Sequence, residues 1–230
     1  MYFICFMILS GLCIAGGLGV ESVWLTVVMW YGAFSFAVVG VAYLASQPTW
    51  LMKRASGTIS PLGWLLYGPF LAVNGMLFHI HRLASSESLA NEVVPGLWLG
   101  RLLTDSEANH LDQQPVAVLD LVCEFMEPKA FRNGSGYLLM PVLDGTAPTQ
   151  DQLRQGIKHI ADHIARGPVY VHCALGHGRS ATFVAAYLLA SRGAGSMEEA
   201  VELIRSRRKG IGLKPDQMNA LRRFAASLSN

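Results

Sequence analysis

Charge is scarce at the start of this 230-residue chain: among residues 1–45, Glu21 is the only Asp, Glu, Lys or Arg. A stretch that apolar has no solvated face to offer, which excludes an entirely soluble protein and implies a membrane half. A basic n-region is also missing from Met1-Tyr2-Phe3, and the apolar sequence resumes directly after Glu21. That pattern predicts a retained anchor rather than a cleaved signal peptide. Cys13 lacks the small preceding residue of a lipoprotein signal, so Cys5 and Cys13 read as lipid-facing or packing residues. Metal-ligand spacing is absent too. His159 and His163 lie one helical turn apart without Cys or carboxylate partners, and they read as surface histidines. No repeat, nucleotide-binding motif or nucleic-acid signature is present, so nucleic acid is not an expected partner.

What the first half does contain is length. Residues 3–20 and 23–45 are each long enough to cross the ~30 Å hydrocarbon core, and a third stretch, 62–80, is interrupted by Gly68, Pro69, Asn74 and Gly75. The expected organisation is a helical membrane region over 1–84 and a soluble domain over 85–230. Lys53 and Arg54 follow the second stretch and Arg82 follows the third, whereas the turn between the first two carries only Glu21. If 3–20 and 23–45 form a hairpin with both ends inside, Lys53 and Arg54 are cytoplasmic. A full crossing by 62–80 would export the domain. A re-entrant or interfacial segment kinked at Pro69 would keep the domain cytoplasmic, and this is the expectation adopted. The +2 formal charge arises in this half; residues 86–230 are balanced. Arg205, Arg207, Arg208, Lys209, Lys214, Arg222 and Arg223 nevertheless cluster near the C-terminus, either as a solvated helical face or as a contact for anionic headgroups.

The densest chemistry lies in Val169-Tyr170-Val171-His172-Cys173-Ala174-Leu175-Gly176-His177-Gly178-Arg179-Ser180. An apolar run leads into H-C-x-x-G-x-x-R-S. The backbone N–H groups of Ala174, Leu175, Gly176, His177, Gly178 and Arg179 can converge on one anion, with Gly176 and Gly178 supplying φ freedom. A helix beginning near Arg179 adds its N-terminal dipole. The same donors stabilise a thiolate, so Cys173 should ionise below the ~8.5 of a free cysteine, and the Arg179 fork can grip two phosphoryl oxygens.

These residues resemble the signature of the cysteine-dependent protein phosphatases, H-C-x5-R-[ST]. The resemblance implies thiolate attack to a phosphocysteine, followed by hydrolysis, with no cofactor and no metal. It also implies that Ser180 hydrogen-bonds the leaving sulfur and that His172 orients the loop and helps to hold Cys173 ionised. The family's general acid is an aspartate on a loop some thirty residues upstream. Asp144, 29 residues before Cys173 in a strand-like run that breaks into Gly145-Thr146-Ala147-Pro148, fits; Asp120, inside an apolar run, is the rival with a structural role.

The remainder agrees with the small dual-specificity type, an α/β fold with a mostly parallel sheet flanked by helices. Residues 95–101 resemble its opening strand and 116–121 read as a buried parallel strand. Helical patterns cover 149–165, 179–192, 196–208 and 215–228, with Ser196-Met197-Glu198-Glu199 as a capped start. Departures bear on substrate. Gly178 stands where serine usually precedes the arginine, a glycine-arginine pair more like phosphoinositide phosphatases. His177 is then either a rim residue facing a strongly anionic substrate or an exposed loop residue, and Gln217 is a candidate for holding the hydrolytic water. Cys123, by resemblance to some of those phosphatases, is either a redox partner of Cys173 or a small buried apolar residue. The expected function is a membrane-anchored, multi-pass phosphatase acting on phosphoproteins, with a phospholipid such as phosphatidylglycerophosphate or a phosphoinositide as the alternative, and a non-catalytic phosphate binder as a third possibility.

Overall fold

The computed structural model describes residues 2–132, 134 and 136–228. They form two compact units. The first is helical: α1 (Tyr2–Leu18), α2 (Val23–Leu44), a 3-10 turn at Pro48–Leu51 and α3 (Pro61–Ala84). By length and apolar composition α2 and α3 can cross a membrane, and α1, at 17 residues, is shorter.

Helix α3 continues through Pro69. Proline has no N–H, so it leaves the carbonyl four residues earlier without its helical donor. Here that carbonyl, Leu65 O, accepts from the Tyr31 hydroxyl of α2. One turn on, Ser35 Oγ accepts from the Phe70 N–H at 3.3 Å. With both positions hydrogen-bonded by a neighbouring helix, α3 runs unbroken for 24 residues from its Ser60 cap, or about 36 Å at 1.5 Å per residue.

The second unit carries the sheet. Its strands are β1 (Ala90–Val94), β2 (Leu97–Arg101), β3 (Ala117–Asp120), β4 (Tyr137–Leu139) and β5 (Val169–Cys173), in the order β1-β2-β5-β3-β4. Only the β1–β2 hairpin is antiparallel. Pro95-Gly96 closes it: proline presets φ at the first turn position, and Gly96 takes φ +80 at the second. The expected opening strand is thus the second arm of a hairpin. β5 is central and every one of its residues is buried, as a parallel strand covered on both faces requires.

Six helices complete the unit: α4 (Asp105–Asn109), α5 (Lys129–Arg132), α6 (Gln150–Ile164), α7 (Arg179–Ala190), α8 (Met197–Arg207) and α9 (Pro215–Leu228). Thr149 and Gln152 form a capping box on α6, and Ser196 caps α8 by accepting from the Glu199 N–H. Helix α7 is buried along nearly its whole length and lies close to α6 because Gly156 leaves room for the Phe183 ring, which any Cβ there would strike. Leu97, Leu119, Val171, Phe183 and Leu221 anchor the core, at about 1.5–3 kcal/mol for each large side chain. The central parallel strands and buried α7 put the β5–α7 turn at the carboxyl ends of the strands, where open α/β sheets bind ligands.

Candidate active site

The β5–α7 turn runs from Cys173 to Arg179. The ladder pairs Cys173 with Arg101 of β2 and His172 with Asp120 of β3. Cys173 is buried, with Sγ 3.3 Å from Ser180 Oγ and accepting the Gly176 N–H at 3.3 Å. Burial alone pushes this thiol up. The Arg179 charge, the Ser180 hydroxyl and N–H, and the His177 N–H outweigh that penalty and leave it below the ordinary thiol value.

Arg179 is also buried, at 1% exposure. Its Nη1 donates to Val142 O at 2.9 Å and to Leu121 O at 3.5 Å, which pins the guanidinium to the segments that follow β4 and β3. Its Nη2 lies 3.1 Å from Asp144 Oδ1, a carboxylate that is 58% exposed. The structure therefore brings together Cys173, Ser180, Arg179 and Asp144. Asp120, the rival carboxylate, is buried and accepts from the Val122 N–H and the Tyr137 hydroxyl. Burial, with Asp120 beside it, pushes the Tyr137 hydroxyl far above its usual range.

His172 alternates to the other face of β5, stacked on Tyr170. Its Nε2 sits 3.1 Å from Glu127 Oε1 and 3.8 Å from Asp120 Oδ1. Ligand-type atoms of Asp120, Glu127 and His172 lie within 4.8 Å of one another, and both Asp120 oxygens already accept protein hydrogen bonds.

The two loop glycines do different work. Gly176 has φ +75 and faces the Gly100 backbone so closely that a Cβ would collide with it. Gly178 has φ −105, open to any residue; its lack of a side chain instead makes room for Gln217, whose Oε1 a Cβ would meet at 2.9 Å. The serine usual at this place would overlap that amide. Gln217 is buried with both ends engaged. Oε1 accepts from the Lys214 N–H and Nε2 donates to Thr146 O, each at 2.9 Å. The amide thus ties α9 to the loop that carries Asp144.

His177 is half-buried, with Nε2 2.7 Å from Glu87 Oε2. Cys123 is buried, and its Sγ donates to Glu124 Oε2 at 3.3 Å. His159 is half-buried rather than on the surface, and burial holds its imidazole below the usual range. Arg208 departs furthest from expectation: rather than joining a surface cluster, it is 3% exposed and donates to the phosphate-loop carbonyls Leu175 O and Gly176 O.

A buried, low-pKa cysteine at the floor of an anion-binding turn on this sheet defines a cysteine-dependent phosphoric monoester hydrolase. The chain belongs to the family described as dual specificity phosphatase, catalytic domain, whose model matches residues 102–227. "Phosphatidylglycerophosphatase and protein-tyrosine phosphatase 1" of Mus musculus is 40% identical over 93 residues, which are 40% of this chain and 48% of that protein. "Dual specificity protein phosphatase 4" of Homo sapiens is 31% identical over 139 residues, 60% of this chain and 35% of that protein. The chain spans about half the length, or less, of these curated relatives. A crystal structure of PTPMT1 in complex with PI(5)P superposes with a TM-score of 0.55 at 27% identity, covering 62% of this chain and 97% of that one. Tk-PTP in its active form gives 0.53 at 28% identity, covering 60% and 97%.

Proposed function

We propose that the chain is a membrane-anchored phosphatase that removes the phosphate of a phospholipid monoester through a phosphocysteine. Cys173 Sγ attacks phosphorus, forming an S–P bond as the ester P–O bond breaks, and Asp144 delivers a proton to the departing oxygen. Arg179 binds two phosphoryl oxygens. Its Nη2, paired with Asp144 in the free protein, then turns to the phosphoryl group, so substrate binding frees the carboxyl to face the leaving oxygen. In the second step water attacks phosphorus, Asp144 takes its proton, and the S–P bond breaks to a thiolate that Ser180 Oγ stabilises. His172 and Gln217 act at a distance, the first as the β5 residue that precedes Cys173 and the second through the Asp144 loop.

The observation that carries the lipid reading is the relative named for phosphatidylglycerophosphatase activity, matched at 40% identity. Two helices suited to a bilayer on the same chain support it. The protein reading is favoured by the longer match to a dual specificity protein phosphatase. Full-length protein in detergent micelles, assayed against phosphatidylglycerophosphate, a phosphoinositide monophosphate and phosphotyrosine peptides, distinguishes the two. The expected result is a kcat/KM on a lipid above that on any peptide by about tenfold or more, some 1.4 kcal/mol of transition-state binding. A phosphopeptide in first place would replace the lipid reading with the protein one.

Thiolate chemistry at Cys173 needs a reducing compartment, so we place the catalytic domain in the cytoplasm, anchored through the N-terminal helices. Reporter fusions after Ala84 are expected to give a cytoplasmic signal. Labelling of Cys173 in intact cells by a membrane-impermeant thiol reagent would place the domain on the far side.

A further inference from the structure

Every carbonyl between residues 174 and 178 is tied from outside the phosphate loop. Ala174 O accepts from the Leu102 N–H at 3.1 Å, His177 O from the Gly212 N–H at 3.4 Å and Gly178 O from the Thr182 N–H at 2.9 Å. Leu175 O and Gly176 O, in the middle, accept instead from Arg208, through Nη2 at 3.0 Å and Nε at 2.9 Å. A trans peptide is planar, with its C=O and the following N–H pointing in opposite directions. Fixing Leu175 O outward therefore aims the Gly176 N–H inward, and fixing Gly176 O aims the His177 N–H inward. Both of these N–H groups donate to Cys173 Sγ. The other outer donors are neutral: three backbone N–H groups and the Thr182 hydroxyl, which also donates to Gly178 O. Arg208 is a cation, and a charge-assisted bond to each carbonyl polarises the peptide and strengthens the N–H on its far side.

Arg208 is itself held. Its Nη1 donates to Ser88 O and Asn91 Oδ1, both at 2.9 Å, and Nη2 lies 3.2 Å from Glu87 Oε2. The same Glu87 oxygen is 2.7 Å from His177 Nε2, so one carboxylate holds both the guanidinium behind the loop and a side chain of the loop. Gly210 leaves room for it, since a Cβ there would collide with Glu87 Oε1.

We propose that Arg208, anchored by Glu87, is a positioning residue for the nucleophile, acting through the two peptide units that aim the Gly176 and His177 N–H groups at Cys173. This rests on the reading of Cys173 as the nucleophile. The charged and polar groups around the pair are Arg179, Ser180 and Tyr170 beside Cys173, and Glu87 with His177 on it, Tyr170 and Arg101 beside Arg208; substituting Arg208 removes its own charge and its pairing with Glu87 and leaves these side chains in place.

The test is the pH dependence of Cys173 alkylation by iodoacetamide. It uses full-length protein in micelles, is read on the Cys173 peptide by mass spectrometry, and is accompanied by kcat/KM and Tm. In Arg208→Met the alkylation midpoint is expected to rise by about one pH unit, a tenfold loss of thiolate at a given pH below it, with kcat/KM falling in parallel. Arg208→Lys restores part of the shift, because a point charge reaches one carbonyl but cannot span two. Glu87→Gln, the milder change, moves the midpoint the same way by less, and carries the test if Arg208→Met does not fold. A lowered Tm with an unmoved midpoint in the folded variants would reduce Arg208 to a packing role and overturn the proposal. Turnover surviving in Cys173→Ser would instead overturn the nucleophile reading beneath it.

Discussion

Cys173→Ser is expected to reduce turnover below detection while inorganic phosphate or vanadate still binds. The substitution removes one polarisable atom from a buried site and keeps its hydrogen bonds. The N–H groups of Gly176, His177 and Ser180 still converge, and Arg179 still rests on Val142 O. What is lost is ionisation. Those donors bring a thiol below its ordinary value, but an alcohol starts so much higher that the same environment leaves it protonated at neutral pH. Anion binding by titration calorimetry together with single-turnover kinetics separates the two effects. Measurable turnover in the serine variant would require a different nucleophile, and loss of binding along with activity would show that the thiolate helps to shape the cradle.

Asp144→Ala is expected to lower kcat by roughly 10²- to 10⁴-fold, the usual worth of a positioned proton donor, with little change in KM. Because Asp144 is more than half exposed, its pairing with Arg179 contributes little to stability, and Tm should hold. The loss is expected to be largest for an alkyl ester such as a glycerol phosphate and smallest for an aryl phosphate whose leaving group departs unaided. An equal loss on both substrates would remove Asp144 from the role of acid.

The loop that carries Cys173 and Arg179 was readable in the sequence because its chemistry is contiguous. Six residues in one turn need no tertiary information to be recognised. The caps at Thr149 and Ser196 are local in the same sense, and helices α6 and α8 start where those residues place them. Glu87, Glu127 and Arg208 were not readable, nor was the tie of Gln217 to Thr146, because each gains its role by meeting a distant segment. Ser88, for example, lies 120 residues from Arg208 in sequence. In a run of seven basic residues nothing marks the one that goes inward; burial is decided by whether a set of carbonyls awaits it. Gly178 teaches a related point. Its departure from serine invites a conformational explanation, but the cause is the volume of a side chain from α9. Strand β1 and the short helices α4 and α5 carry too little periodic sequence to stand out.

Pro69 removes a donor from the hydrogen-bond ladder of α3, and the Tyr31 hydroxyl of α2 fills its place at the Leu65 carbonyl. The Leu65 carbonyl, left bare by its own helix, would be very unfavourable in hydrocarbon on its own. If α3 enters a bilayer, this carbonyl is best satisfied with α2 alongside, so the two helices are expected to behave as one paired unit. A truncated protein that begins at Ser60 would carry the apolar length of an anchor without the partner that makes its middle compatible with lipid.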